Sequence, residues 1–185
     1  GTERFFGEAQ TGYIVVPLLP LMSLRSPASL RSPNSLTSLT SLGPFVHEGI
    51  DAATVRAYRM AHYMVDDPAG CFVLRVDRPS PELLSLYRRE RVREAAYVTA
   101  CNPGSKRLSL EQNRERNARL LREIAALGKV AIPGRGVDPE GQWEGEESFL
   151  IPGLGIDQAR DLGARHGQNA VLHARADGVP ALLFC

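Results

Sequence analysis

From residue 51 onward, strand-length apolar runs alternate with amphipathic helical stretches, and this alternation restricts the chain to an α/β architecture. Asp51–Val65 reads as a helix, with Asp51 as N-cap and Val55, Tyr58, Ala61, His62 and Val65 on one stripe. Cys71–Val76 reads as a short strand. Ser80–Arg93 follows as a helix with Pro81 at its first position. Ala95–Cys101 is almost wholly apolar, as expected of a strand covered on both faces. Ser109–Leu127 is the clearest helix: Ser109 and Gln112 have capping-box spacing, and Gly128 stops it. Lys129–Ile132 is a candidate strand. Pro133–Gly145, with four glycines and two prolines in thirteen residues, reads as a loop. Then come a strand at Glu147–Ile151, a helix at Asp157–His166, and strands at Gln168–Ala174 and Ala181–Phe184 around the turn pair Asp177-Gly178. The expected fold is a single α/β domain over residues 45–185: a mixed sheet flanked by helices, ending in a β-hairpin.

Before this domain the texture differs. Residues 23–44 read SLRSPASLRSPNSLTSLTSLGP, a Ser/Leu/Pro near-repeat with no aromatic residue and no sustained period. Such a tract buries too little apolar surface to offset an ordering entropy of roughly 1–2 kcal/mol per residue, so residues 1–44 are expected to be a disordered tail. Position 1 is not Met whereas Met22 stands just before the tract, so residues 1–21 read either as upstream sequence or as part of a natural tail.

Charge narrows the partners. With 22 basic and 21 acidic side chains the net charge is +1, which gives no strong nucleic-acid signal, because phosphate neutralisation needs a basic surplus. The apolar run Tyr13–Met22 is about ten residues long and holds two prolines. It is too short for a span of about 20 residues, so no membrane association is expected. Three cysteines without metal or disulfide spacing fit a reducing compartment, and a cytoplasmic location is the expectation. No cofactor, metal or oligomeric state follows from the residues.

Several polar side chains stand where packing alone would not put them. The apolar stripe of the long helix, through Leu110, Leu120, Leu121, Ile124 and Leu127, extends backwards onto Asn113 and Asn117. An inward amide needs backbone, water or ligand partners, since an unsatisfied one costs about 1–3 kcal/mol. Asn102, before Pro103-Gly104, ends the second strand at the sheet end where ligands commonly sit; its amide is expected to hold the loop or a bound molecule. Ser105, Lys106 and Ser109 precede a helix N-terminus, but they do not form a GxxxxGK[ST] phosphate cradle. In Trp143-Glu-Gly-Glu146-Glu-Ser148, strand alternation puts Glu146 and Ser148 on one face and Glu147 on the other. A carboxylate entering a sheet beside an indole is a candidate acid/base, against the alternative of an exposed strand start. Gln168 opens a core strand. Tyr58, Tyr63 and His62 suit core packing with tethered polar tips. Cys101 lacks an adjacent histidine that the sequence can place, so a thiol nucleophile is disfavoured.

Taken together, Ala57-Tyr58, Tyr63, Tyr97-Val-Thr-Ala-Cys-Asn-Pro103, Asn113, Trp143-x-x-Glu146-x-Ser148 and Gly167-Gln168-Asn169-Ala170 resemble the bacterial family of domain of unknown function 3293 over about residues 50–184. Cys101 departs from the pattern, standing where the family tends to carry an aromatic residue. The resemblance implies domain boundaries and a set of polar positions, and no activity. Two readings stay open. In one, Asn102, Asn113, Trp143, Ser148, Gln168 and Tyr58 bind a small polar, nucleotide- or nucleobase-like ligand and Glu146 is the acid/base if hydrolysis occurs. In the other, a non-catalytic interaction or regulatory module uses the same residues as a structural network.

Overall fold

Four residues, Ala95–Val98, form a strand (β3) buried on both faces, which requires a neighbour on each edge and a layer on each side. The computed structural model describes residues 49–141 and 145–185. Around β3 it builds a seven-stranded sheet from β1 (His62–Val65), β2 (Phe72–Leu74), β4 (Ile132–Val137), β5 (Glu146–Pro152), β6 (Ala170–Ala174) and β7 (Pro180–Phe184), in the order β2-β1-β4-β5-β3-β6-β7. Helices α1 (Ala52–Met60), α2 (Pro81–Glu90), α3 (Leu110–Ala126) and α4 (Ile156–Arg165) complete one α/β domain. The expected tail, residues 1–44, and Trp143 lie outside the described residues.

The core has two halves, one per sheet face. Leu83, Leu86 and Tyr87 of α2 pack with Val65, Leu74, Tyr97, Ile132, Leu150 and Leu172 on one face. Leu120 and Ile124 of α3 and Ala159 and Leu162 of α4 pack with Val98, Phe149, Ile151 and Val171 on the other. Helix starts follow the capping chemistry of the sequence. Ser80 accepts from Leu83 N with Pro81 at the first helical position, and the Ser109/Gln112 capping box is complete.

All six strand pairings are antiparallel, where a mixed sheet was expected. The reason lies in strand insertion. β3-α3-β4 and β5-α4-β6 are crossover units whose strands run the same way, but β5 sits between β3 and β4, and β3 sits between β5 and β6. Each crossover is split by an antiparallel strand. The expected C-terminal hairpin is present: β6 pairs β7 across a turn in which Gly178 takes φ +67° and Val179 N donates to Asp177.

Two boundaries moved. The single helix expected over Asp51–Val65 ends at Met60, because extended Ala61 turns the chain into β1, whose four residues pair with β4. Sheet pairing overrides the local helical period there. The glycine-rich stretch assigned to loop begins as β4. Pro133 is tolerated because its carbonyl, and hence its nitrogen, faces Asp66 just beyond the end of β1, so the one bond it cannot make lies at the end of that ladder and its pairing with β5 is unaffected. Gly134 is required by close approach. Tyr97 Oη donates to Met64 O at 2.8 Å directly above it. A Cβ at Gly134 would collide with that carbonyl and stand 2.8 Å from the hydroxyl.

Gly134→Ala should therefore destabilise the domain by about 1–3 kcal/mol through overpacking, read as a lowered urea midpoint. An unchanged midpoint for the Gly134 variant would contradict the packing described.

Candidate functional site

β3 stops pairing at Val98, yet the chain runs on in the same direction through Thr99–Asn102. Without a ladder, these backbone groups must find partners elsewhere, and side chains supply them. Asn117 Oδ1 accepts from Ala100 N at 2.9 Å and Arg116 Nε donates to Ala100 O at 2.8 Å. Thr99 Oγ1 accepts from Cys101 N at 3.0 Å, and Gln168 Nε2 donates to Cys101 O at 2.8 Å. Asn113 Oδ1 accepts from Asn102 N at 3.0 Å. Asn113, Arg116 and Asn117 share one face of α3 at helical spacing, which is why a polar seam continues the apolar stripe.

Asn102 closes the segment in the left-handed region (φ 46°, ψ 57°), a conformation asparagine tolerates better than most residues. That turn aims its amide inward. Oδ1 accepts from Leu108 N at 2.9 Å and from Asn113 Nδ2 at 3.0 Å, while Nδ2 donates to Glu146 Oε1 at 2.7 Å. Glu146 is the first residue of β5 and is partly buried. Burial pushes its carboxyl above the ordinary value of 4.5, partly offset by the Asn102 hydrogen bond. Among the described residues, Oε2 has no hydrogen-bond partner.

Glu146 borders an open cavity of about 660 Å³, within the 300–1,000 Å³ range typical of small-molecule sites. One wall is the sheet, through Tyr63, Tyr97, Ser148, Leu172 and Leu182; the facing wall is α1, through Thr54, Ala57 and Tyr58. α1 buries no residue of its own. Polar ties hold it across the opening. Tyr58 Oη lies 2.6 Å from Ser105 Oγ, Asn169 Nδ2 donates to that same Tyr58 oxygen at 3.0 Å, and Tyr63 Oη donates to Tyr58 O at 2.7 Å. Burial raises Tyr63 and Tyr97 far above the usual phenol range, so both stay neutral donors.

Asn102, Asn113, Glu146, Ser148, Gln168 and Tyr58 all border this one cavity, although they come from five separate stretches of chain. Their local roles differ. The amides of Asn102, Asn113 and Gln168 are engaged with backbone and with one another. Ser148 Oγ donates to Glu146 O at 3.0 Å. Cys101 also borders the cavity, but burial holds its thiol above the ordinary range, away from the reactive thiolate. Asn169, Tyr97 and Arg116 were not singled out as contributors. Asn169 lay within a quoted motif, but its pairing with Tyr58 spans 111 positions, beyond any local signal. Among the described residues, no group of three His, Cys, Asp or Glu could hold a metal, and no helix is long and apolar enough to cross a membrane.

A family model described as a protein of unknown function (DUF3293) matches residues 98–171. Over that segment the chain resembles the DUF3293 family. The matched stretch is narrower than the 50–184 that the motifs suggested, and it holds Asn102, Asn113, Glu146, Ser148 and Gln168 while leaving out Tyr58. The DUF3293-like segment thus runs from the end of β3 to the start of β6 and includes all of α3 and β5. No curated protein and no solved structure matches the chain.

Two outcomes follow from the geometry. Asn117→Ala leaves Ala100 N without its partner and takes from Glu147 O one of its donors, Thr99 Oγ1 remaining, and should cost about 1–3 kcal/mol by urea unfolding; a neutral result would contradict the role of side chains as a substitute ladder. For Glu146 the fold favours the protonated acid, so its contribution is complete below pH 4.5 and is lost as pH rises through the raised value. The melting temperature of Glu146→Gln minus that of the parent should therefore increase from about pH 4 to pH 7. A constant or falling difference would show that the fold does not disfavour the carboxylate.

Proposed function

We propose that the cavity binds a small polar ligand of nucleobase or nucleotide type, with Glu146 as the group that receives or exchanges its proton. One observation carries the reading: the Glu146 carboxylate is fixed through one oxygen by Asn102, and its other oxygen is uncommitted at the edge of a cavity large enough for such a ligand. A carboxylate placed this way accepts an N–H or exocyclic amine from a planar heterocycle. With a carboxyl value moved up by burial, it also suits a general acid or base, should the bound ligand be hydrolysed. The tyrosines Tyr58, Tyr63 and Tyr97 supply flat apolar walls beside it.

In this reading the amides of Asn102 and Asn113 place Glu146 for the ligand. Their bonding supports a positioning role: Asn113 orients Asn102, and Asn102 orients Glu146. The same saturation favours a second reading, in which the network is structural and the domain is a non-catalytic interaction or regulatory module.

A thermal-shift panel of nucleosides and nucleotides separates the two. Under the binding reading at least one compound raises the parent's melting temperature by several degrees, as expected near a hundredfold excess over Kd. Glu146→Gln folds normally and loses that protection. If no compound protects the parent, or if Glu146→Gln is protected equally, Glu146 is not a ligand contact and the structural reading stands.

A further inference from the structure

Two helices stand over the same face of the sheet, and they cover it differently. α2 sends Leu83, Leu86 and Tyr87 onto it, and all three are buried. α1 and its cap residue present Thr54, Ala57, Tyr58 and Ala61, one face at three- and four-residue spacing. Apart from Tyr58, whose hydroxyl is engaged with Ser105 and Asn169, these side chains are small. Ala57, in the middle of that face, stays exposed although it borders the cavity.

Strand register fixes what lies opposite. Glu146, Ser148 and Leu150 alternate onto one face of β5, and Leu150, Tyr97, Leu172 and Leu182 are successive cross-strand partners. Leu172 and Leu182 are therefore on the Glu146 face, two and three strands from β5 in the order β5-β3-β6-β7. Ala170 joins them by alternation along β6. All three border the cavity; Ala170 and Leu182 are partly buried and Leu172 is buried. α1 is held over this strand pair at both ends. Tyr58 meets Asn169, which leads into β6, and Arg59 pairs with Asp77, whose N–H donates to Pro180 O of β7.

The cavity thus has a polar side at Glu146 and Asn102 and an apolar side between α1 and the β6-β7 pair. The α1, β6 and β7 residues that border it carry no charged side chain. A charged group placed there would lose water without meeting a counter-charge, whereas hydrocarbon gains by leaving water. β6 lies two strand spacings from β5, about 10 Å, a span covered by an amine hydrogen-bonded to Glu146 and carrying a phenethyl-sized group.

We propose that the space between α1 and the β6-β7 pair is a hydrocarbon subsite, so that the ligand held at Glu146 is a nucleobase with an aliphatic or aryl substituent on its exocyclic nitrogen. This rests on the reading of the cleft given above and supplies the ligand's apolar half. Glu146 takes the N–H of the substituted amine, and the substituent runs past Tyr97 toward Ala170 and Leu182.

The test is isothermal titration calorimetry on the full chain with adenine and cytosine, each unsubstituted and N-phenethylated on the exocyclic amine, for the parent, Ala57→Leu and Glu146→Gln. The expected result is at least about tenfold tighter binding of a phenethyl derivative than of its base, as burial of about two CH₂ groups confers, with a more negative heat-capacity change. Ala57→Leu fills the subsite from the α1 side and abolishes that preference. Its melting temperature without ligand is not lowered, because Ala57 is exposed and leucine is a strong helix former. Equal binding of base and derivative by the parent overturns the hydrocarbon subsite and leaves the Glu146 cleft standing. A preference that persists in Ala57→Leu places the hydrocarbon elsewhere and also overturns it. A preference lost in Ala57→Leu but kept at equal affinity in Glu146→Gln supports the subsite and overturns the Glu146 contact. Binding of none of the probes overturns both.

Discussion

The cavity exists because side chains of α3 and Gln168 replace a sheet ladder. Beyond Val98 the chain has no strand to pair with, and five backbone groups of residues 100–102 are instead satisfied by Asn117, Arg116, Thr99, Gln168 and Asn113. Side chains bond the same groups from one side and leave the other side open. Buried backbone polar groups are rarely left unpaired, so this substitution is what permits an open end in an otherwise fully paired sheet.

Asn102 turns that scaffold into a site. Its left-handed backbone ends the extended run, and its amide ties the following loop, α3 and β5 to one point. The carboxylate at the end of this chain of bonds is held on one oxygen only. Orientation by a hydrogen-bonded neutral partner, in place of a cation, leaves the carboxyl group elevated by burial. A salt bridge there would lower it and commit both oxygens. α1 closes the opposite side through hydroxyl and amide contacts, with Arg59 paired to Asp77, and buries none of its residues, so it covers the cavity without contributing to the core.

Much of this was legible in the residues. The apolar run Ala95–Cys101 announced a buried strand, and the Ser109–Gln112 spacing announced the start of α3, because both signals are local. Asn113 and Asn117 stood out because an apolar stripe cannot carry amides inward without partners. What the sequence could not reveal is which partners, since those are set by strand insertion: β5 enters between β3 and β4 and carries Glu146 to Asn102 across 44 positions. For the same reason the sheet was expected to be mixed. The helical period through His62 and Val65 was outweighed by pairing with β4, a non-local competitor with no trace in a local window.

The account depends on Glu146 being a carboxyl disfavoured as an anion by burial and steadied by Asn102. The most direct measurement is a ¹³C NMR titration of the Glu146 side-chain carboxyl in the full chain, alongside Asn102→Ala. The account predicts a midpoint above 4.5 in the parent, and a further rise in the variant as the hydrogen bond that favours the anion is lost. A parent midpoint at or below the ordinary glutamate value, unaffected by removing Asn102, would contradict it.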